Sequence, residues 1–238
     1  MNPPPLSENP PAPPAPTVAD VAAIAATILG GLALQSARPE GEDPQRLAQR
    51  RRELLRTAEL PKRAAEWCRS RAGLAAEPWR LALAKIVRKL GTGFTMGLCG
   101  QQSRGKTTMA VSTALHAIEA GRSVVYVKGD RMAELYDAAR HPTDDTEMAT
   151  EAAVTDWLCA PALLIVDEVG KMRDTDYILR KLFLVLDTRY DASRDTLLIS
   201  NLDKLAFDSL LGCSLLERMA ESGGTILCDW QGFRGEKM

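Results

Sequence analysis

The run Gly100-Gln101-Gln102-Ser103-Arg104-Gly105-Lys106-Thr107 constrains this 238-residue chain more than any other stretch. It reads G-x-x-x-x-G-K-T, a phosphate-binding loop, and that motif needs a strand before it and a helix after it. Its glycines let the backbone curl until successive N–H groups face phosphate oxygens. Lys106 then reaches the β- and γ-phosphates, the Thr107 hydroxyl suits Mg²⁺, and the next helix adds the positive end of its dipole. Both flanks comply. Residues 93–99 are short, largely apolar and β-prone, as a buried strand should be. Residues 107–120 carry Met109, Val111, Ala114, Leu115 and Ile118 at helical spacing, with Gly121 where a C-cap belongs.

The chain has room for one α/β domain and an extension. Net charge is −1, with 45% hydrophobic and 26% charged residues, so the sum alone does not mark a nucleic-acid binder. The distribution is uneven: residues 46–89 are basic and residues 130–195 acidic, which suits either two partner surfaces or ordinary solvated helix faces. Five scattered cysteines without C-x-x-C spacing, and only two histidines, argue for reduced thiols and against zinc. The apolar stretch 21–34 is too short for a membrane span, and its proline-rich leader lacks the basic start of a signal peptide. A cytoplasmic protein without a membrane partner is expected.

Three segments follow from composition. Residues 1–16 are a proline-rich leader expected to be disordered. Residues 17–75 read as a basic helical region suited to a partner, with a helix over 17–34, another opening at Asp43-Pro44 and a third after Pro61. Residues 76–238 hold the nucleotide domain. Beyond the loop, strands are expected at 123–127, 162–166, 196–200 and 224–228, and helices at 131–140, 147–158 and 176–190.

The strand at 162–166 runs directly into Asp167 and Glu168. Open α/β sheets bind ligands at the C-terminal ends of their strands, so both acids are delivered to the site. Asp167 suits the Mg²⁺ shell and Glu168 suits polarising a water. The strand at 196–200 ends on Asn201, which fits either a γ-phosphate contact or a turn former before Leu202-Asp203.

Taken together, GQQSRGKTT, LLIVDEVGK, Arg189-Tyr190, LLISNL, LLERM and the closing DWQGFR resemble the DnaC/IstB group of AAA+ ATPases. The resemblance covers residues 61 to 238. It implies a five-stranded parallel sheet in the order 5-1-4-3-2, a reduced or absent C-terminal lid and a helical N-terminal extension. It implies ATP and Mg²⁺ as cofactors, with ATP held by Gly100, Gln101, Gln102, Ser103, Arg104, Gly105, Lys106, Thr107 and Thr108 at the interface of a homo-oligomer. Lys106, Glu168, Asn201 and Arg218 are the implied catalytic set, and Arg218 would reach the neighbouring copy's ATP as an arginine finger. Arg234 takes the place of the arginine in a closing S-Y-R-type motif, although Gly232 departs from that pattern. Single-stranded DNA is implied by family alone, with Lys128 and Arg131 as its candidate contacts.

Three functions then compete. An ATP-switched loader would place a replicative helicase on single-stranded DNA. A transposition accessory ATPase would assemble on double-stranded DNA and recruit a transposase. A small-molecule P-loop kinase would need an acceptor pocket and an arginine-bearing lid. Asp167-Glu168 and Asn201 favour the first two.

Overall fold

The computed structural model describes residues 44–71, 75–143, 147–148, 150–172 and 175–230. The proline-rich leader, the helix expected at 17–34 and Arg234 lie outside the described residues. Three helices lead in: α1 (Pro44–Thr57), α2 (Lys62–Arg71) and α3 (Glu77–Val87). Next come β1 (Thr95–Cys99), α4 (Lys106–Glu119), β2 (Val124–Lys128), α5 (Gly129–Arg140), α6 (Glu151–Cys159) and β3 (Leu163–Asp167). A 3₁₀ turn at Val169–Lys171 leads to α7 (Thr175–Asp191), β4 (Asp195–Ile199), α8 (Lys204–Ser222) and β5 (Gly224–Leu227).

The strands form one parallel sheet in the order β2-β3-β4-β1-β5, the expected order read from the other edge. Parallel strands are covered on both faces, which is why they read as apolar runs rather than as alternating ones. Strand period 2 then sorts the core. Met96, Leu98, Tyr126, Ile165, Leu197 and Ile199 face α4 and the three lead-in helices. Val125, Val127, Leu164, Val166 and Leu198 face α5, α6, α7 and α8. α4 is enclosed by the sheet, α2 and α3, so Met109, Ala110, Val111, Ala114 and Ile118 are all buried.

Two buried charges hold the edge of the sheet opposite the phosphate loop. The Asp195 carboxylate accepts from the N–H groups of Gly91, Gly93 and Phe94, satisfying the turn that enters β1. Arg189 is 1% exposed and donates to the Thr196 hydroxyl and to the carbonyls of Leu158, Cys159, Pro161 and Asp195. One guanidinium thereby ties α7 to the end of α6, the turn before β3 and the start of β4. Burial lowers its pKa, but a full set of acceptors keeps it charged. Arg189, part of the resemblance motif, is therefore a structural residue.

The acidic helix expected at 147–158 begins later, at Glu151, because the Thr150 hydroxyl caps it by accepting from Ala153 N at 3.1 Å. The basic lead-in also does internal work. Arg50 donates to Gly121 O and Arg51 pairs with Glu119, both at the C-terminal end of α4, where a helix dipole favours cations. Ala58 O accepts from Tyr126 N at 3.1 Å, so the chain after α1 covers the outer strand β2. Among the described residues, no helix is long and apolar enough to cross a membrane.

Candidate ATP site

β1 ends at Cys99 and α4 begins at Lys106, with the loop between them at the C-terminal edge of the sheet. Two glycines are required there. Gly105 caps α4 with φ +76, in the left-handed region that glycine enters without penalty. Gly100 has φ +126, and a Cβ on it would lie 2.7 Å from Cys228 O.

Lys106 is 4% exposed and donates to the carbonyls of Gly100 and Gln101 at 2.6 and 2.7 Å. These bonds leave a third ammonium proton for a phosphate. Burial lowers the lysine's pKa, partly offset by charges that include Asp167. The Thr107 hydroxyl donates to Asp167 Oδ2 at 2.8 Å, joining the loop to the tip of β3. The same Oδ2 accepts from Tyr126 OH at 2.6 Å, and Oδ1 accepts from Glu168 N at 2.8 Å. Burial, then the nearby Asp167 charge, raises the Tyr126 pKa and keeps the phenol a donor. A hydroxyl and a carboxylate held side by side form the hard oxygen donor set that Mg²⁺ takes in nucleotide sites, so the residues fit this ion.

Glu168 adopts φ 61, a left-handed conformation costing on the order of 1 kcal/mol for a side-chain-bearing residue. Strain of this sort collects at functional sites. Its carboxylate accepts from Lys171 Nζ at 2.8 Å and lies 3.8 Å from Lys128 Nζ. The Lys171 hydrogen bond, more than any other influence, holds the Glu168 carboxyl below the usual range. Asn201 shares one cleft with Ser103, Arg104, Gly105, Lys106, Thr107 and Thr108. Gly100 N donates to Leu202 O at 2.8 Å, so the turn after β4 is fastened to the start of the loop.

The remaining candidates lie apart from that cleft. Arg218 is on α8, which runs down from Asp203, two residues after Asn201, to Ser222, whose hydroxyl meets Thr95 N where β1 begins. Arg218 is therefore near the sheet edge opposite the loop. There it pairs with Asp187 and its guanidinium lies 5.4 Å from the Tyr190 ring centre. Arg131 pairs with Glu134 and Glu147, and all three side chains are largely exposed.

Several residues around the loop escaped sequence reasoning. Trp79 Nε1 donates to Gly105 O at 3.1 Å, Cys68 Sγ approaches Thr108 O at 3.4 Å, and Trp230 Nε1 donates to Arg104 O at 2.7 Å. Tyr126 had a usable signal. It stands two residues before the end of β2, and so faces the same side as Lys128, the partner of Asp167 across the sheet. Trp79 had none and Trp230 only its place in the closing DWQGFR, because their contacts cross 26 and 126 positions of sequence.

The family model of IstB-like ATP binding proteins matches residues 40–221. The chain belongs to this family. Among curated relatives, the uncharacterised protein YdaV of Escherichia coli is 28% identical over 159 residues, covering 66% of this chain and 62% of YdaV. The replicative helicase loader DnaC of Buchnera aphidicola (subsp. Acyrthosiphon pisum) is 27% identical over 136 residues, covering 57% of this chain and 54% of the loader. The chain thus spans little more than half the length of these relatives. Among solved structures, the replication initiator DnaA bound to AMPPCP and single-stranded DNA superposes with a TM-score of 0.52 at 18% identity, covering 64% of this chain and 46% of that one. DnaI gives a TM-score of 0.51 at 17% identity, covering 65% and 84%. At such identities these two show the fold alone, a parallel α/β sheet carrying the phosphate loop.

Proposed function

We propose that this protein hydrolyses ATP as an assembly and release switch, and that it loads a replicative helicase onto single-stranded DNA. The observation that carries the hydrolytic half is the convergence of Lys106, Thr107, Asp167, Glu168 and Asn201 on one sheet edge. Lys106 binds the β- and γ-phosphates of ATP. Thr107 and Asp167 hold Mg²⁺, which when bound neutralises charge on the phosphate oxygens. Glu168, ionised at neutral pH, orients and polarises the attacking water. Asn201 bonds the γ-phosphate and that water. Arg218 of a neighbouring copy then stabilises the transition state, which makes hydrolysis depend on assembly.

The loading half rests on the relatives named helicase loaders. Lys128 and Arg131 are the proposed DNA contacts. Their present ion pairs are with exposed or partly exposed carboxylates, each worth about 0–1 kcal/mol, so a phosphate backbone can exchange for them. A second reading keeps the same ATP chemistry and replaces the partners by double-stranded DNA and a transposase. The IstB-like family match favours it.

Immobilised protein loaded with ATP and Mg²⁺, offered purified replicative helicase and transposase from the same host, separates the two. Retention of the helicase, with ATP turnover raised by single-stranded rather than double-stranded DNA, is expected. Retention of the transposase alone would overturn the loader reading.

A further inference from the structure

A phosphate loop works by presenting N–H groups to the ligand, and any carbonyl turned the same way repels it. Here four of the loop carbonyls are occupied. Lys106 takes those of Gly100 and Gln101, and the Trp79 indole takes that of Gly105. At the apex the contact is reciprocal. Trp230 Nε1 donates to Arg104 O at 2.7 Å, while the Arg104 guanidinium donates to the Trp230 carbonyl and to Gln101 Oε1. An indole N–H is a donor only, so among the loop's own groups it pairs with a carbonyl and not with the N–H groups offered to phosphate.

The place of Trp230 is itself fixed. Cys228 N donates to Cys99 O at 2.8 Å, and Cys228 O lies against Gly100 closely enough to exclude any side chain there. The half-buried indole packs against the core layer beneath α4. The segment leaving β5 therefore touches the loop at its first residue and at its apex.

We infer that Trp230 is a positioning residue for ATP: with Arg104 it forms a clasp that turns the apical carbonyl away from the phosphates and ties the segment after β5 to nucleotide occupancy. The inference rests on the reading that this loop holds ATP. Loss of the indole N–H frees the Arg104 carbonyl and loosens the loop without removing any group that touches the phosphates.

The test uses the full chain and titration calorimetry with ATP and Mg²⁺. Trp230→Phe keeps an aromatic ring against the core and removes the donor. It is expected to raise the ATP dissociation constant about 5–10-fold, the effect of one part-buried hydrogen bond. The KM for ATP should rise in step while kcat falls less than about twofold. The nucleotide-free melting temperature should move by no more than about 2 °C. Arg104→Gln breaks the other half of the clasp, and the double variant should bind no more weakly than the worse single one, because the two bonds act as a unit. An unaltered ATP affinity in Trp230→Phe would overturn the clasp, and so would strictly additive losses. A fall in nucleotide-free stability that accounts for the whole affinity change would assign Trp230 a merely structural role. A wild-type chain that binds no ATP would overturn the functional reading as well, which keeps the two failures distinct.

Discussion

The cleft around Lys106 and the surface around Arg218 are built on opposite terms. In the cleft the side chains of Lys106, Thr107 and Asp167 are fixed by hydrogen bonds within the chain. Asp167 alone is held by a threonine, a tyrosine and a backbone N–H, and Lys106 is 4% exposed. Arg218 is partly exposed, near the far edge of the sheet, and its partners are two residues of α7 that touch nothing in the cleft. The proposed arginine finger is thus presented outward, away from its own loop. The contrast supports the proposal that one copy carries a preorganised cleft and separately displays an arginine to a neighbouring copy.

The largest effect that sharpens this contrast is expected within the cleft. Lys106→Ala should abolish ATP binding and turnover together, whereas Glu168→Gln should lower turnover by about 10²–10⁴-fold and leave ATP affinity within a few-fold. Calorimetry beside a phosphate-release assay separates these outcomes, and a Glu168→Gln protein with full turnover would remove the proposed base. Arg218→Ala should lower turnover by about 10³-fold at concentrations where the protein assembles, with ATP binding by the separated chain retained.

A smaller effect is expected from the arginine's holders. Asp187→Asn leaves the Tyr190 ring in place and removes the ion pair, so turnover should fall several-fold, between wild type and Arg218→Ala. If Asp187→Asn matched Arg218→Ala, the aspartate would be doing more than holding the arginine. The pH dependence gives the mildest contrast. Glu168 has a depressed pKa, so turnover should persist below the pH at which an ordinary glutamate would protonate, and fail at lower pH as its charge is lost. Lys106 also has a depressed pKa, so ATP affinity should decline with rising pH sooner than for an ordinary lysine, as the ammonium deprotonates. A Lys171→Met variant should move the acid limb up toward the ordinary glutamate range and leave the alkaline limb in place.

Much of the sheet and half of the site were legible in the sequence because the signals there are local. G-x-x-x-x-G-K-T and an apolar run ending in Asp167-Glu168 need only their immediate neighbours, and the strand boundaries fall within one or two residues of those expected. What escaped depends on distant approach. Trp79 and Trp230 look like core aromatics in sequence, yet each spends its polar atom on a loop carbonyl. Arg189, caught as half of a motif, is a buried structural staple, which only the five acceptors around it reveal. The basic residues near the start illustrate the same limit. Arg50 and Arg51 are spent on the end of α4, a use that charge distribution alone does not distinguish from a partner surface.

Whether a second copy completes the site is read directly by mixing two inactive variants. Glu168→Gln retains Arg218, and Arg218→Ala retains the whole cleft. In an equimolar mixture with head-to-tail interfaces, about a quarter of the sites pair an intact cleft with an intact arginine. ATP turnover in the mixture is expected to rise to roughly that fraction of wild type, from near zero for either variant alone. A mixture no more active than its components, under conditions where the chains assemble, would contradict it.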